Sequence, residues 1–197
     1  MPPARAFEIQ PLTPDRWDDL ETLFGPSGAY SGCWCMFWRI TRSQFGERCA
    51  HDGAENKAAF HEVVASGEVP GLLAYAHGKP VGWCAVAPRE VYATLERSTT
   101  LKRIDDKPVW AITCFFVAHG WRRKAVYIAL ISAAIDHMRG LGGTMLEAYP
   151  TLHEPGMKAP SNAPVYMGLS AAFRIAGFVE VARPGNSRRV TVRYAIA

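Results

Sequence analysis

The chain has 197 residues, 49% of them apolar and 20% charged, which is enough for one domain of mixed architecture with a sizeable core. Lys and Arg number 22 against 18 Asp and Glu, a formal charge of +4 that suits an anionic ligand and falls short of a nucleic-acid-binding composition. No apolar run reaches the length of a secretory core or a membrane span, so neither nucleic acid nor membrane is expected as a partner, and the cytoplasm is the expected compartment.

Five cysteines, Cys33, Cys35, Cys49, Cys84 and Cys114, lack the repeated pairs of a disulfide framework and read as reduced thiols. Cys33 and Cys35 with Cys49 and His51 make a weak zinc set, because zinc pairs usually leave two to four residues between cysteines and need a matched second pair. No metal is expected.

In chain order, Phe7 to Leu12 alternates as a first strand. Thr13, Pro14 and the acids after them open a short amphipathic helix that ends at Phe24, with Trp17, Leu20, Leu23 and Phe24 as its apolar stripe. Residues 25–50 read as irregular yet rich in aromatics, Tyr30, Trp34, Phe37, Trp38 and Phe45, interleaved with arginines. Such a stretch packs on the domain as an ordered insertion on the substrate side; finishing the core beneath a loop and walling a pocket both fit the composition.

A second helix spans Ala54 to Ala65 and closes at Gly67; Gly71 to His77 and Val81 to Ala87 form a β-hairpin, followed by a short helix within Pro88–Arg97. Val109 to Val117 is apolar on both faces, as in a central strand covered by helices. After it the run breaks at His119-Gly120, passes through Arg122, Arg123 and Lys124, and restarts with helical spacing to about residue 139. Amides at a helix start lack intrahelical acceptors and sit at the positive end of the dipole, so this strand, turn and helix make an anion site. Thr144 to Tyr149 is a further strand, Thr151 to Pro164 a loop, Val165 to Ala176 a helix, and Gly177–Ala182 with Arg189–Ile196 a last hairpin. No internal repeat or domain boundary shows, so residues 1–197 are expected to form a single domain.

The order of elements, the loop Val117-Ala-His-Gly-Trp-Arg-Arg-Lys-Ala-Val-Tyr127 and the segment Leu169-Ser-Ala-Ala-Phe-Arg-Ile-Ala-Gly-Phe178 together resemble the GNAT superfamily of acyl-CoA-dependent N-acetyltransferases. The resemblance implies an α/β (α+β) fold with a mixed, mostly antiparallel sheet of about six to seven strands flanked by about four helices. It implies acetyl-CoA as co-substrate, a primary amine of a small molecule as acceptor, and a homodimer. On the family's Arg/Gln-x-x-Gly-x-Gly/Ala pattern, Arg122 takes the first place, Ala125 the second and Tyr127 the third. Arg122, Arg123, Lys124, Ala125, Val126 and Tyr127 would hold the pyrophosphate, and the backbone of Phe116 and Val117 would meet the pantetheine arm and the oxyanion. Small residues usually fill the second and third places because a Cβ crowds the coenzyme; the added cations offset this through charge-assisted bonds.

Phe173 stands where many members carry the tyrosine that protonates the departing thiolate, and Tyr166, two turns earlier on the same predicted helix, is the candidate acid. An alkylamine with a pKa of about 10.4 is protonated at pH 7, and freeing its lone pair costs roughly 4 to 5 kcal/mol. Glu147, on the strand after the pyrophosphate helix, is the leading candidate base; His119, Glu90 and His153 are weaker. Trp34, Phe37, Trp38, Arg39, Tyr92 and Tyr149 suggest an acceptor pocket with aromatic walls and cations, suited to an amine bearing an aromatic or carboxylate portion. A GNAT-like module that binds acyl-CoA without turnover is the rival reading. The P-loop and dinucleotide glycine patterns are absent.

Overall fold

The computed structural model describes residues 7–49, 52–152, 165–185 and 187–196. Seven strands form one sheet: β1 (Glu8–Pro11), β2 (Gly71–Ala76), β3 (Lys79–Pro88), β4 (Trp110–Val117), β5 (Met145–Ala148), β6 (Val179–Ala182) and β7 (Thr191–Ala195). They lie in the order β1-β2-β3-β4-β5-β7-β6, and all neighbours are antiparallel except β4 and β5. The helices are α1 (Trp17–Phe24), α2 (Arg42–Cys49), α3 (Ala54–Ala65), α4 (Ala93–Glu96), α5 (Val126–Gly140) and α6 (Ser170–Ile175), with short 3-10 turns at 14–16, 89–91, 119–121 and 165–167.

Both faces of the sheet are covered. On one, Val126, Leu130, Ala134 and Met138 of α5 and Phe173 of α6 pack on Leu72, Cys84, Ile112, Phe115 and Leu146. On the other, Trp17, Leu20 and Phe24 of α1, Phe60 and Val64 of α3, and Trp34 and Met36 pack on Leu73, Trp83 and Ala85. Each Val, Leu, Ile, Phe or Met among them, when buried in full, contributes about 1.5–3 kcal/mol through water release.

Three local readings are corrected. Residues 25–50 are irregular only to Thr41; α2 follows, opened by a capping box in which Thr41 N–H donates to Gln44 Oε1 (3.1 Å) and Gln44 N–H donates to Thr41 Oγ1 (3.3 Å). The helix expected from residue 122 starts at Val126, because Ala125 sits at φ +62° and cannot continue a right-handed turn. The helix expected over Val165–Ala176 is two pieces, parted by Gly168 (φ +85°) and the extended Leu169.

The aromatic-rich segment is fastened down by a close backbone approach. A Cβ on Gly32 would meet Gly53 Cα at 2.7 Å, and Asn56 Nδ2 donates to the Gly32 carbonyl (2.9 Å). Loop 25–41 thereby docks on the start of α3 with its indoles turned inward.

Candidate active site

The site begins with an irregularity in β4. Ala85 pairs with Cys114 but Val86 pairs with Ile112, so Thr113 is one residue too many, a β-bulge. It turns Ile112 and Phe115 to the same face of the sheet. The parallel pairing of β4 with β5 runs only from Trp110↔Leu146 to Ile112↔Ala148. Beyond Ala148 the chain turns away: Thr151 N–H donates to Gly168 O (3.0 Å) and Val190 N–H to Pro150 O (3.1 Å). From Thr113 to Val117, β4 has no strand beside it on the β5 side among the described residues, and the turn Val165–Met167 packs near that edge. An extended ligand arm can pair with such a backbone edge as a strand would.

At the C-terminal end of β4 the chain enters the cationic loop. Arg122 Nε donates to Val117 O (3.2 Å), pinning the loop to the strand. Lys124 Nζ lies 4.7 Å from the Trp121 ring centre, and Trp121 packs edge-on against Phe7. Arg123 and Ala125 both adopt φ +62°, and the first amides of α5 follow directly. Ala125 therefore holds the left-handed backbone that a glycine holds without steric cost. Tyr127 turns its ring inward, 4.8 Å from Phe115, and burial pushes its hydroxyl pKa up to about 12. The amides, three cations and open edge fit a pyrophosphate with a pantetheine-like arm.

The catalytic candidates fare differently. Tyr166 comes to the open edge of β4 in the turn 165–167, with Phe37 edge-on at 6.5 Å and the Arg189 guanidinium 5.8 Å from its ring centre. Burial, the main cause, raises its pKa and keeps it protonated. Glu147 is corrected. It is 0% exposed, and both its oxygens are taken: Arg89 Nη1 donates to Oε1 and Arg193 Nε to Oε2, each at 2.7 Å. Arg89 reaches on to Glu96 and to the Leu101 carbonyl, and Arg193 grips Asp105 with both terminal nitrogens. With both oxygens occupied and no exposed surface, Glu147 ties β5 to the turn after β3, to β7 and to the 97–109 loop.

Tyr149, an expected pocket residue, is fully buried and belongs to this network, bonded to Arg89 and Glu147. Tyr149 also packs in the cluster of Trp38 and Tyr92, whereas Trp34 lies apart from it. Trp34 stacks on Trp17 at 6.1 Å beneath a groove of about 590 Å³ between α1 and α3, whose wall includes no residue of β4, β5 or the cationic loop. Arg39 pairs with Glu68 at 2.6 Å and lies over the rings of Phe60 and Tyr92, so it acts on the site through its field. Trp38, Tyr92, Phe37 and Tyr166 do come together, with Met167 and Ala111, on the face opposite α5. Phe173 is core, between Phe115 and Phe178.

Of the weaker bases, Glu90 accepts from Arg103 at 2.6 Å, His119 lies in the turn after β4, and His153 lies outside the described residues, as does His51 of the zinc set. Among the described residues no group of three or more His, Cys, Asp or Glu is placed to hold a metal ion. Burial above all pushes the Cys33 thiol up to about 12, which favours an inert thiol. No helix among the described residues is long and apolar enough to cross a membrane.

The model of the acetyltransferase (GNAT) family matches residues 34–158, from the aromatic loop through the bulged strand, the cationic loop and β5. The chain belongs to the GNAT acetyltransferase family. Solved structures with the same GNAT fold include the PaiA N-acetyltransferase of Thermoplasma acidophilum in complex with coenzyme A, at 13% identity and TM-score 0.51 over 96% of this chain and 99% of that one. A GNAT-family acetyltransferase of Streptococcus agalactiae aligns at 13% identity and TM-score 0.55 over 97% and 96% of the two chains. An agmatine N-acetyltransferase variant in its apo form aligns at 11% identity and TM-score 0.56 over 97% and 100%. No curated protein matches the sequence.

Proposed function

We propose that the chain transfers an acetyl group from acetyl-CoA to a primary amine of a small molecule, by direct attack of the amine within a ternary complex. The observation that carries this reading is the coincidence, at Thr113, of the β4 bulge and the end of β4–β5 pairing, with the cationic helix start one short loop away. Acetyl-CoA supplies the activated acyl group. Arg122, Arg123, Lys124 and the amides of Ala125, Val126 and Tyr127 hold its pyrophosphate. The backbone of Phe116 and Val117 aligns the pantetheine arm, and an N–H at this end of β4 stabilises the oxyanion.

Tyr166 donates its phenolic proton to the departing thiolate, a role supported by its place at the open edge and its protonated state. Trp38, Phe37 and Tyr92 wall the acceptor side. With Glu147 engaged by two arginines, the amine loses its proton to water, so kcat/KM should climb with pH as the free-amine fraction grows, about tenfold per unit below the pKa of the amine. The same engagement of Glu147 favours the second reading, an acyl-CoA-binding module without turnover. Amine-dependent release of coenzyme A thiol, measured on a panel of primary amines, decides between them. Tyr166→Phe should lower kcat by about 10²-fold or more while coenzyme A still binds; binding with no amine-dependent thiol release sinks the enzyme reading.

A further inference from the structure

Among the described residues, four buried side-chain polar atoms have no hydrogen-bond partner: Trp38 Nε1, Tyr92 Oη, Asn56 Oδ1 and His137 Nε2. The last two stand alone on α3 and α5. The first two share one cluster, the acceptor side of the proposed site, where Trp38 is 7% exposed and Tyr92 1%. Native proteins rarely leave such groups unpaired, because each then bears its full desolvation cost. Two in one cluster point to a bound group that satisfies both.

Their setting is built. The Thr94 amide donates to the Trp38 carbonyl (3.0 Å) and the Thr94 hydroxyl donates to the Ile40 carbonyl (2.5 Å), so the loop bearing Trp38 is locked to α4. Tyr92 immediately precedes α4. Its ring packs in one cluster with Ala111 of β4, two residues before the bulge, and its hydroxyl has no hydrogen-bond partner. Tyr92 therefore lies beside the segment of β4 whose pairing with β5 ends at Ile112.

The chemistry selects the ligand. An indole N–H only donates, so its partner is an oxygen and not an ammonium group. Burial, the largest influence, raises the pKa of Tyr92, so its hydroxyl stays protonated and donates too. The Arg189 guanidinium, 5.8 Å from the Tyr166 ring centre, biases the cluster toward negative charge, whereas that of Arg39, 5.4 Å from the Tyr92 ring centre, is already paired with Glu68. Two donors in a positive field match the two oxygens of a carboxylate.

We propose that the acceptor is an amino acid, a primary amine carrying its own carboxylate, and that Trp38 Nε1 and Tyr92 Oη hold that carboxylate while its amine faces the thioester at Thr113. This rests on the acetyltransferase reading and names the class of its second substrate.

The test pairs each amino acid with the amine that lacks the carboxylate, and adds short peptides, in the thiol-release assay. The amino acids should be preferred, and Trp38→Phe and Tyr92→Phe should each cut that preference about tenfold, chiefly through KM, as expected for one lost bond to a charged group. Tyr92→Phe should melt no lower than the parent, since it removes an unpaired hydroxyl at almost unchanged volume, whereas Trp38→Phe also loses packing. Equal use of the decarboxylated amines, acetylation of peptides alone, an unchanged preference in both variants, or marked destabilisation by Tyr92→Phe overturns the proposal and leaves the two groups to an ordered water. Should no amine be acetylated, the enzyme reading fails, and calorimetry with the coenzyme A complex still decides this one. Amino-acid binding weakened in both variants supports it; no binding overturns it.

Discussion

At the scale of single residues, the decisive positions are those where a side chain meets a constraint it did not choose. Ala125 holds φ +62° at the place that the family resemblance reserves for glycine. Left-handed backbone costs an L-residue roughly 1–2 kcal/mol, whereas glycine there loses about 0.5–1 kcal/mol in chain entropy. Ala125→Gly should leave the melting temperature unchanged or raise it by up to about 4 °C, and should tighten coenzyme A binding by removing a Cβ from the loop. Thermal melts and calorimetry check both. Glu147 makes the opposite case. Replacing it by Gln strands two buried guanidiniums at a cost of about 3–5 kcal/mol, a fall of roughly 6–20 °C in a chain of this size. A catalytic base would instead lose kcat with its melting temperature intact, so the two measurements together assign the residue.

Among the elements, what a short segment encodes and what its neighbours impose can be told apart. The stripe of α1, the span Ala54–Ala65 and the β2–β3 hairpin follow from local periodicity and turn residues, and they form where the pattern puts them. Helix α2 has no fully buried side chain and so no apolar stripe to read; its signal was the pair Thr41 and Gln44, one capping box. The early break of the last helix follows from Gly168, where a Cβ would press on Phe173 at 2.8 Å. On α5, burial lowers the pKa of His137 below its ordinary value. The unfolded chain then binds the proton first as pH falls, near 6.5, so this histidine's contribution to stability is complete above that pH and is lost progressively below it. Urea melts from pH 7.5 to 5 should show the decline, and His137→Gln should flatten it.

For the whole molecule, the sheet joins what the chain keeps apart. Ligand binding to the folded state alone raises stability by mass action: coenzyme A at about 100 times its Kd should add about 2.7 kcal/mol, or roughly 5–11 °C. ATP giving an equal shift would argue for a general nucleotide site. The candidate site was legible in part. Residues 117–127 could be read as a strand end, a cationic turn and a helix start because these are contiguous, and the structure keeps that order. Trp38, Tyr92 and Tyr166 could be named as aromatics but not sorted from Trp34, since only packing sends Trp34 to α1 and brings Trp38 to Tyr92.

Composition, periodicity and one contiguous motif determined the alternation of elements, the cationic start of α5 and the resemblance to acetyltransferases. Only the tertiary structure decided that β4 and β5 part at Thr113, that Glu147 is spent on arginines 58 positions before it and 46 after it, and that two unpaired donors share one aromatic cluster. The reason is physical. Helix starts and strand periodicity are set by neighbouring residues, whereas the ionisation and freedom of a buried side chain depend on partners that the sheet brings from far along the chain.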